Sequence, residues 1–352
     1  MVKITINDKV TKLKEKSKAK NTQEKYKGDW LKFIDYCKNK YHCNPLDVDD
    51  LDSAYALTAN YMDWLHEDPE AKILKGSSNI SGREKVNNNP YSSTAYKAST
   101  IQRILASITY KYRLNGFQFD RKNPNIAETI SAIVRDEKNL KSGQAKEILK
   151  DDIVKIIDSI PNDSDDFRNI RDKTLILIGF YSFCRRSELL GMKYEHLHFG
   201  NDGIQVLIPF SKTDQTGEGR MIFLPATNDE YCPVKSLNNW LEVARIDNGP
   251  LFYKINKSNT IEKYTMNQKN QKVSLNDASF VLILKKRAGA AGLKDCDKIS
   301  GHSLRIGSIT QARMNGVPTH EIMAQSGHKT TQMIDRYTKL SNIRETSAAK
   351  EI

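Results

Sequence analysis

The sequence predicts a mainly α-helical chain of two domains, with one small antiparallel β-sheet in its second half. Three observations predict this. Apolar residues recur with helical period through most of the chain. A polar, periodless segment, DEKNLKSGQAKE at 136–147, interrupts that pattern near the middle and reads as an interdomain linker. Only two runs, IQVLIPF at 204–210 and RMIFLP at 220–225, have strand composition. At 352 residues the chain is long enough for two separate cores, and the expected division is 1–135, a linker at 136–147, and 148–352.

Each element has its own warrant. Thr22 is a good N-cap, and Tyr26, Trp30, Phe33, Ile34 and Cys37 then recur on one helical face. A second helix is expected from about Thr58 to Leu65, followed by a long Gly-, Ser- and Asn-rich loop at 71–92. A third opens at Ser99 or Thr100, carries Ile101, Ile104, Leu105, Ile108 and Tyr112 inside, and stops at Gly116. A shorter one spans about Ile126 to Val134. In the second domain Asp151 or Asp152 is the expected cap for Ile153, Ile156, Ile157 and Ile160, and a more apolar helix covers Ile170 to Tyr181. SKTDQTGEG between the two strands reads as a hairpin turn, and three helices punctuated by Gly316-Val317-Pro318 and Gly327 follow Ser303.

Composition narrows the function classes. Lys plus Arg number 55 against 43 acids, a formal net charge of +12 that leans to the N-terminal half. Such a balance favours nucleic acid over acidic proteins or membrane surfaces. No apolar run approaches the roughly 20 residues of a membrane span, and the first residues lack the apolar core of a secretory signal. The expected workplace is therefore intracellular, with no membrane partner. The five cysteines contain no C-x-x-C pair, so neither a disulfide framework nor a zinc knuckle is expected. His196 and His198 in YEHLHF alternate as on a strand and are read as structural rather than as metal ligands. No phosphate-binding G-x-x-x-x-G-K-[ST] loop and no two-metal acidic cluster is evident, so no metal and no cofactor is expected.

Taken singly, the polar residues of the second half have ordinary explanations. Arg185 and Arg186 read as a charged helix end, Lys212 as a solvated turn lysine, and Tyr337 as a core aromatic in phase with Met333, Ile334 and Leu340. The ordered set is different: R-R-S-E, a hairpin lysine, G-H-S-L-R, S-G-H, then a tyrosine nine residues after that histidine. Together these resemble the tyrosine recombinase, or phage integrase, family, and most nearly its Cre-like members. GHSLRIGSITQARMNGVPTHEIMAQSGHKTTQMIDRY looks like one continuous stretch of that family, and NIRDKTLILIGFYSFCRRSELLGM resembles its first-arginine region. STIQRILASITYKYRLNG looks like a helix of its DNA-clamping domain. The resemblance covers most of residues 22–340 and is strongest from 146 to 340.

The residues themselves suit phosphoryl transfer. Arg185 and Arg305 can grip the non-bridging oxygens of a phosphodiester and stabilise the charge that grows on them. Tyr337, with a free pKa near 10, needs that cationic surround to act as a nucleophile. Lys212 suits the general acid that protonates the leaving deoxyribose oxygen. His302 can exchange a proton with Tyr337, and His328 can donate a hydrogen bond to the phosphate. Glu188 fits an orienting carboxylate.

What the resemblance implies is a C-shaped clamp on duplex DNA: a helical core-binding domain on one face and the mainly helical catalytic domain on the other. Lys25, Gln102, Arg103 and Lys111 are the expected DNA contacts of the first domain. It further implies strand exchange at inverted-repeat sites through a 3′-phosphotyrosine and a Holliday junction, by a homotetramer on two sites, in the cytoplasm at the nucleoid. The terminal segment SNIRETSAAKEI is expected to dock into a neighbouring protomer, and no separate arm-binding domain is expected before residue 20. Two competing readings share the motifs: a type IB topoisomerase-like relaxer, and a recombinase-derived DNA-binding protein without catalysis.

Overall fold

The computed structural model describes residues 20–68, 71, 96–139, 145–162, 165–209, 219–267 and 273–335. Nearly all of the predicted loop at 71–92 lies outside these residues, as do Lys212 with its hairpin turn, Tyr337 and the terminal segment. Two compact units divide the chain, Met1–Ser142 and Gly143–Ile352.

Among the described residues of the first unit are four helices: α1 (Lys20–Tyr41), α2 (Leu51–Glu67), α3 (Ala98–Leu114) and α4 (Pro124–Asn139). Helix α1 packs chiefly on α3, and α2 on α4. Between them lies a core rich in rings, with Trp30 and Phe33 of α1 against Tyr112 and Tyr61 at centroid distances of 5.6 and 5.1 Å. Large aromatic faces fill such a core with few side chains, and tilted or edge contacts suit their quadrupoles. Helix α2 starts at Leu51 rather than near Thr58, because Asp50, in an acidic run that reads as loop, caps it by accepting from the Ser53 N–H at 2.6 Å. The earlier start extends the buried stripe through Ala54, Tyr55 and Leu57. Helix α3 ends at Asn115-Gly116, where Gly116 takes φ +88°, a conformation that spares it the Cβ clash.

Helix α4 runs on to Asn139, so the predicted linker at 136–147 begins inside a helix. Its other end belongs to the second unit, where the Lys146 and Ile148 N–H groups donate to the Lys298 and Ser303 carbonyls. Ile148 is buried, and a Cβ on Gly307 would lie 1.7 Å from the Ile148 oxygen, so this lead-in presses directly on the helix behind it.

The second unit then follows as α5 (Lys150–Asp158), α6 (Phe167–Tyr181) and α7 (Arg186–Leu190), then β1 (Leu197–Phe199), β2 (Gly203–Ile208) and β3 (Arg220–Pro225). Among the described residues it continues with α8 (Pro233–Val243), α9 (Asp277–Ala290), α10 (Ser303–Met314) and α11 (Thr319–Ser326), and a helical turn covers 331–335. The N-cap of α5 is Leu149, not Asp151 or Asp152; Asp152 instead sits at the third helical position and accepts from the Leu149 N–H at 3.2 Å. Helix α6 is buried on nearly all sides from Asn169 to Phe180 and is flanked by α8 and α10. Gly179 lets α10 approach closely, since a Cβ there would meet Leu304 at 2.6 Å.

The sheet has order β1-β2-β3, all antiparallel, with Val206 paired to Ile222 in the core. β1 is a third strand beyond the two predicted runs. It is three residues long and only Leu197 points inward, too little for an alternation to register. Gln325 of α11 clips the edge of β3: its amide oxygen accepts from the Phe223 N–H at 3.2 Å and its amide nitrogen donates to the Phe223 carbonyl at 2.8 Å.

Candidate active site

Four short segments of the second unit meet around one carboxylate. Glu188, on α7, is 7% exposed. It accepts from the Arg185 backbone N–H at 2.9 Å and from Arg185 Nη1 at 2.8 Å. Arg220, the first residue of β3, forks onto the same carboxylate from Nη2 at 3.0 Å and Nη1 at 3.3 Å. Arg305 of α10 brings Nη1 within 4.0 Å of it. Burial raises the Glu188 pKa, but hydrogen bonds and charge from Arg220 and Arg185 outweigh that and hold the carboxyl below its ordinary value. Three guanidiniums thus converge on a single negative charge, and the excess is positive.

The local sequence explains each placement. Arg185 is the N-cap of α7, with extended backbone (φ −65°, ψ 151°), which turns its side chain back over the first turn to reach Glu188 three residues on. Arg305 is 3% exposed, and its Nη1 donates to the Phe183 carbonyl at 2.7 Å. Phe183 takes φ +56°, a left-handed conformation costing a bulky residue about 1–2 kcal/mol. The arginine holds the carbonyl that this turn presents, and strain of this kind is characteristic of sites whose geometry is imposed by surrounding contacts.

His328 lies just past α11, after Gly327. Its ring is 6% exposed, with Nε2 2.9 Å from Arg305 Nη2 and Nδ1 2.8 Å from Ser326 Oγ. The same Nη2 lies 3.4 Å from Nδ1, so the guanidinium reaches over the ring toward both nitrogens. Burial first, then Arg305, Arg185 and Arg220, push this histidine down to about 4 despite Glu188. The predicted donation from His328 to a phosphate is therefore made by a ring that its cationic neighbours hold neutral. His302 caps α10 and sits exposed at the rim. Partial desolvation, then Arg305, Arg186 and Arg185, lower its pKa, which keeps its ring neutral and able to take a proton.

Of the predicted catalytic set, the structure brings together Arg185, Glu188, His302, Arg305 and His328; Lys212 and Tyr337 lie outside the described residues. Arg220 was not among the candidates. Its signal was slight, a cation at the head of an otherwise apolar strand run that returns from the hairpin. Among the described residues no group of His, Cys, Asp and Glu is arranged to hold a metal, and no helix is long and apolar enough to cross a membrane. His198 is exposed on β1 and His196 lies in the short 3-10 turn before it.

The candidate DNA contacts of the first unit lie on α1 and α3. Arg103 pairs with the Asp29 carboxylate of α1, and Lys25 is near enough to lower the pKa of that acid, which burial nonetheless raises. Lys111 lies two turns further along α3. Gln102 lines a cleft together with Arg113, Arg121 and Lys122.

Comparison with known proteins gives a consistent picture. The Phage integrase family model matches residues 146–344. An integrase/recombinase XerD homolog of Selenomonas ruminantium is 33% identical over 334 residues, covering 94% of this chain and 84% of the relative. Tyrosine recombinase XerA of Pyrococcus furiosus is 21% identical over 249 residues, 70% of this chain and 71% of that protein. In fold, the chain is similar to a lambda integrase dimer bound to a COC′ core site, with TM-score 0.50 and 16% identity over 94% of this chain and 93% of that one. It is similar also to XerH recombinase in a post-cleavage complex with palindromic difH, with TM-score 0.50 and 17% identity over 72% and 67% of the two chains.

Proposed function

Because this chain belongs to the phage integrase family, we propose that it is a tyrosine site-specific recombinase acting on duplex DNA. The observation that carries the reading is the convergence of Arg185, Arg220 and Arg305 on one buried carboxylate, with two neutral histidines beside them. That arrangement suits a dianionic phosphoryl transition state better than it suits a resting ion pair.

In this mechanism Arg185 and Arg305 hold the non-bridging oxygens, and Tyr337 Oη attacks phosphorus while the bond to the 5′ oxygen breaks. His302 takes the tyrosine proton, and Lys212 supplies one to the departing 5′ oxygen. The products are a 3′-phosphotyrosine and a free 5′-hydroxyl. The phosphodiester energy stays in the new bond until a 5′-hydroxyl from a second duplex attacks it and restores the tyrosine. When phosphate offsets the charge of the surrounding arginines, the His328 ring takes up a proton more readily and can donate to the phosphate. Exchange between two inverted-repeat sites through a Holliday junction, in a homotetramer, completes the reading. Lys25, Gln102, Arg103 and Lys111 remain the DNA contacts we assign to the first unit.

The test is a nicked suicide substrate cut from the protected repeat of the source replicon. Wild-type protein is expected to become covalently attached, and Tyr337→Phe to bind with unchanged affinity and form no adduct. Adduct formation by that variant moves the nucleophile elsewhere. Lys212→Ala is expected to lose cleavage of the ordinary diester and regain it on a 5′-phosphorothiolate, whose sulfur departs without a proton. Absence of selective rescue removes Lys212 from the role of acid.

A further inference from the structure

Arg220 has no part in the steps above, yet it makes more contacts inside the site than its strand position requires. Its guanidinium forks onto both Glu188 oxygens, at 3.0 and 3.3 Å, and Nη2 also lies 3.7 Å from Cys184 Sγ. Its side chain is only 16% exposed. The opposite surface of the guanidinium is pressed on Gly327: a Cβ there would meet Cζ and Nη1 at 2.9 Å and Nε at 3.0 Å. Contact at near-equal distance from three atoms of the group means that the glycine lies over its plane. Gly327 takes φ +70° and directly precedes His328. One planar cation therefore spans from the carboxylate that orients Arg185 to the peptide that carries His328.

We propose that Arg220 is a positioning residue, a brace that fixes the Glu188 carboxylate and the Gly327–His328 backbone relative to each other and thereby aims Arg185 and His328 at the scissile phosphate. It touches no reacting atom. The inference rests on the recombinase reading, and it has a consequence for substitution at each end of the brace. A residue with a side chain at 327 displaces the brace as well as straining its own backbone. A lysine at 220 preserves charge but not the planar two-point grip on Glu188.

The experiment compares wild type, Arg220→Lys and Arg220→Gln in the full chain. Melting temperature, DNA affinity, single-turnover adduct formation and the titration of the His328 ring by NMR are followed. Arg220→Lys is expected to keep DNA affinity within about twofold and to form adduct about 10- to 100-fold more slowly, the loss falling on the rate at saturating DNA rather than on binding. The groups facing His328 are Arg305, Arg185, Arg220 and Glu188. Removal of one cation in Arg220→Gln should thus move its midpoint up from about 4, while Arg220→Lys leaves it in place. A wild-type adduct rate in Arg220→Lys overturns the brace, as does a rate that falls only in step with melting temperature. Should Arg220→Gln fail to fold, Arg220→Lys alone decides. Wild-type protein that forms no adduct on any site overturns the recombinase reading instead, which separates the two failures.

Discussion

Asp172 and Glu188 are both carboxylates buried in the second unit and surrounded by arginines, and they differ in how many cations gather on them. Asp172 takes Arg171 Nε and Nη2 on one oxygen at 3.0 and 2.7 Å and Arg287 Nε on the other at 2.8 Å. The remaining arms of those arginines end on the Tyr253 carbonyl and on Asn169 Oδ1. Two arginines thus share one acid and two neutral acceptors. Around Glu188 there are three arginines rather than two, the third stands off at 4.0 Å, and two histidines are driven toward neutrality. A saturated pair fixes helices. An oversubscribed carboxylate leaves cationic donors for an anion that arrives later, and that is the physical mark separating a phosphate site from a structural ion pair.

The largest expected effect breaks the two clusters apart. Arg305→Ala should slow adduct formation about 10²- to 10³-fold, as loss of one preorganised donor does elsewhere, and Arg185→Ala should fall in the same range. Arg287→Ala should instead cost about 3 kcal/mol of stability by exposing an underpaired buried carboxylate, with the folded fraction cleaving at the wild-type rate. Denaturant unfolding alongside single-turnover cleavage reads both quantities. An Arg287→Ala protein of normal stability and lost activity would erase the distinction drawn here.

The next effect appears in pH dependence. His328 has an ordinary value of 6.5 and a native one of about 4. Between those values the unfolded chain binds the proton and the native state does not, so stability rises with pH across that window and falls on acidification. The loss amounts to something on the order of 2–3 kcal/mol by pH 4. Glu188 acts lower down: its native pKa lies below the ordinary 4.5, so its contribution is present above that value and is lost as pH falls through the lowered one. Stability measured from pH 7 to pH 4 should therefore decline more steeply for wild type than for His328→Asn. Parallel curves would mean that the ring is not held neutral by its arginines.

A smaller effect is expected at Gly327. Gly327→Ala should cost about 1 kcal/mol from its left-handed backbone alone. It should slow adduct formation beyond what that cost explains, because the methyl reaches the Arg220 plane. Gly116→Ala, also at positive φ but with nothing within 4 Å of the new methyl, is the control that carries strain without displacement.

These differences also show why parts of the site were legible in the sequence. Arg185 with Glu188, and His302 with Arg305, lie three residues apart, so helical spacing alone places each pair together. Gly327 and His328 are adjacent. Arg220 meets them only through the tertiary fold, and on its own it is one polar residue at a strand end. Helices α8 and α9 carried no expected element. In α9 the run Val281-Leu282-Ile283-Leu284 puts apolar residues on all sides, Leu282 being 67% exposed, so no stripe emerges. Asp172 and Glu188 were equally visible as acids beside arginines; only the count and reach of the surrounding donors tells them apart.

The smallest expected effect concerns a third pairing, Arg103 with Asp29 in the first unit. Here the arginine is 39% exposed and the acid 11%, a half-solvated pair of modest worth to stability. Its consequence is for DNA instead. A guanidinium already matched by a carboxylate contributes less to phosphate attraction than its charge suggests, so Arg103→Ala should weaken DNA binding only slightly. Asp29→Asn removes the competing charge and should tighten binding by a few-fold, with a salt dependence steeper by up to about one phosphate contact. Titrations at two or more salt concentrations measure the slope directly. If Asp29→Asn leaves both affinity and slope unchanged while Lys25→Ala lowers them, Arg103 is a packing residue of the α1–α3 contact and the DNA face lies to the Lys25 side.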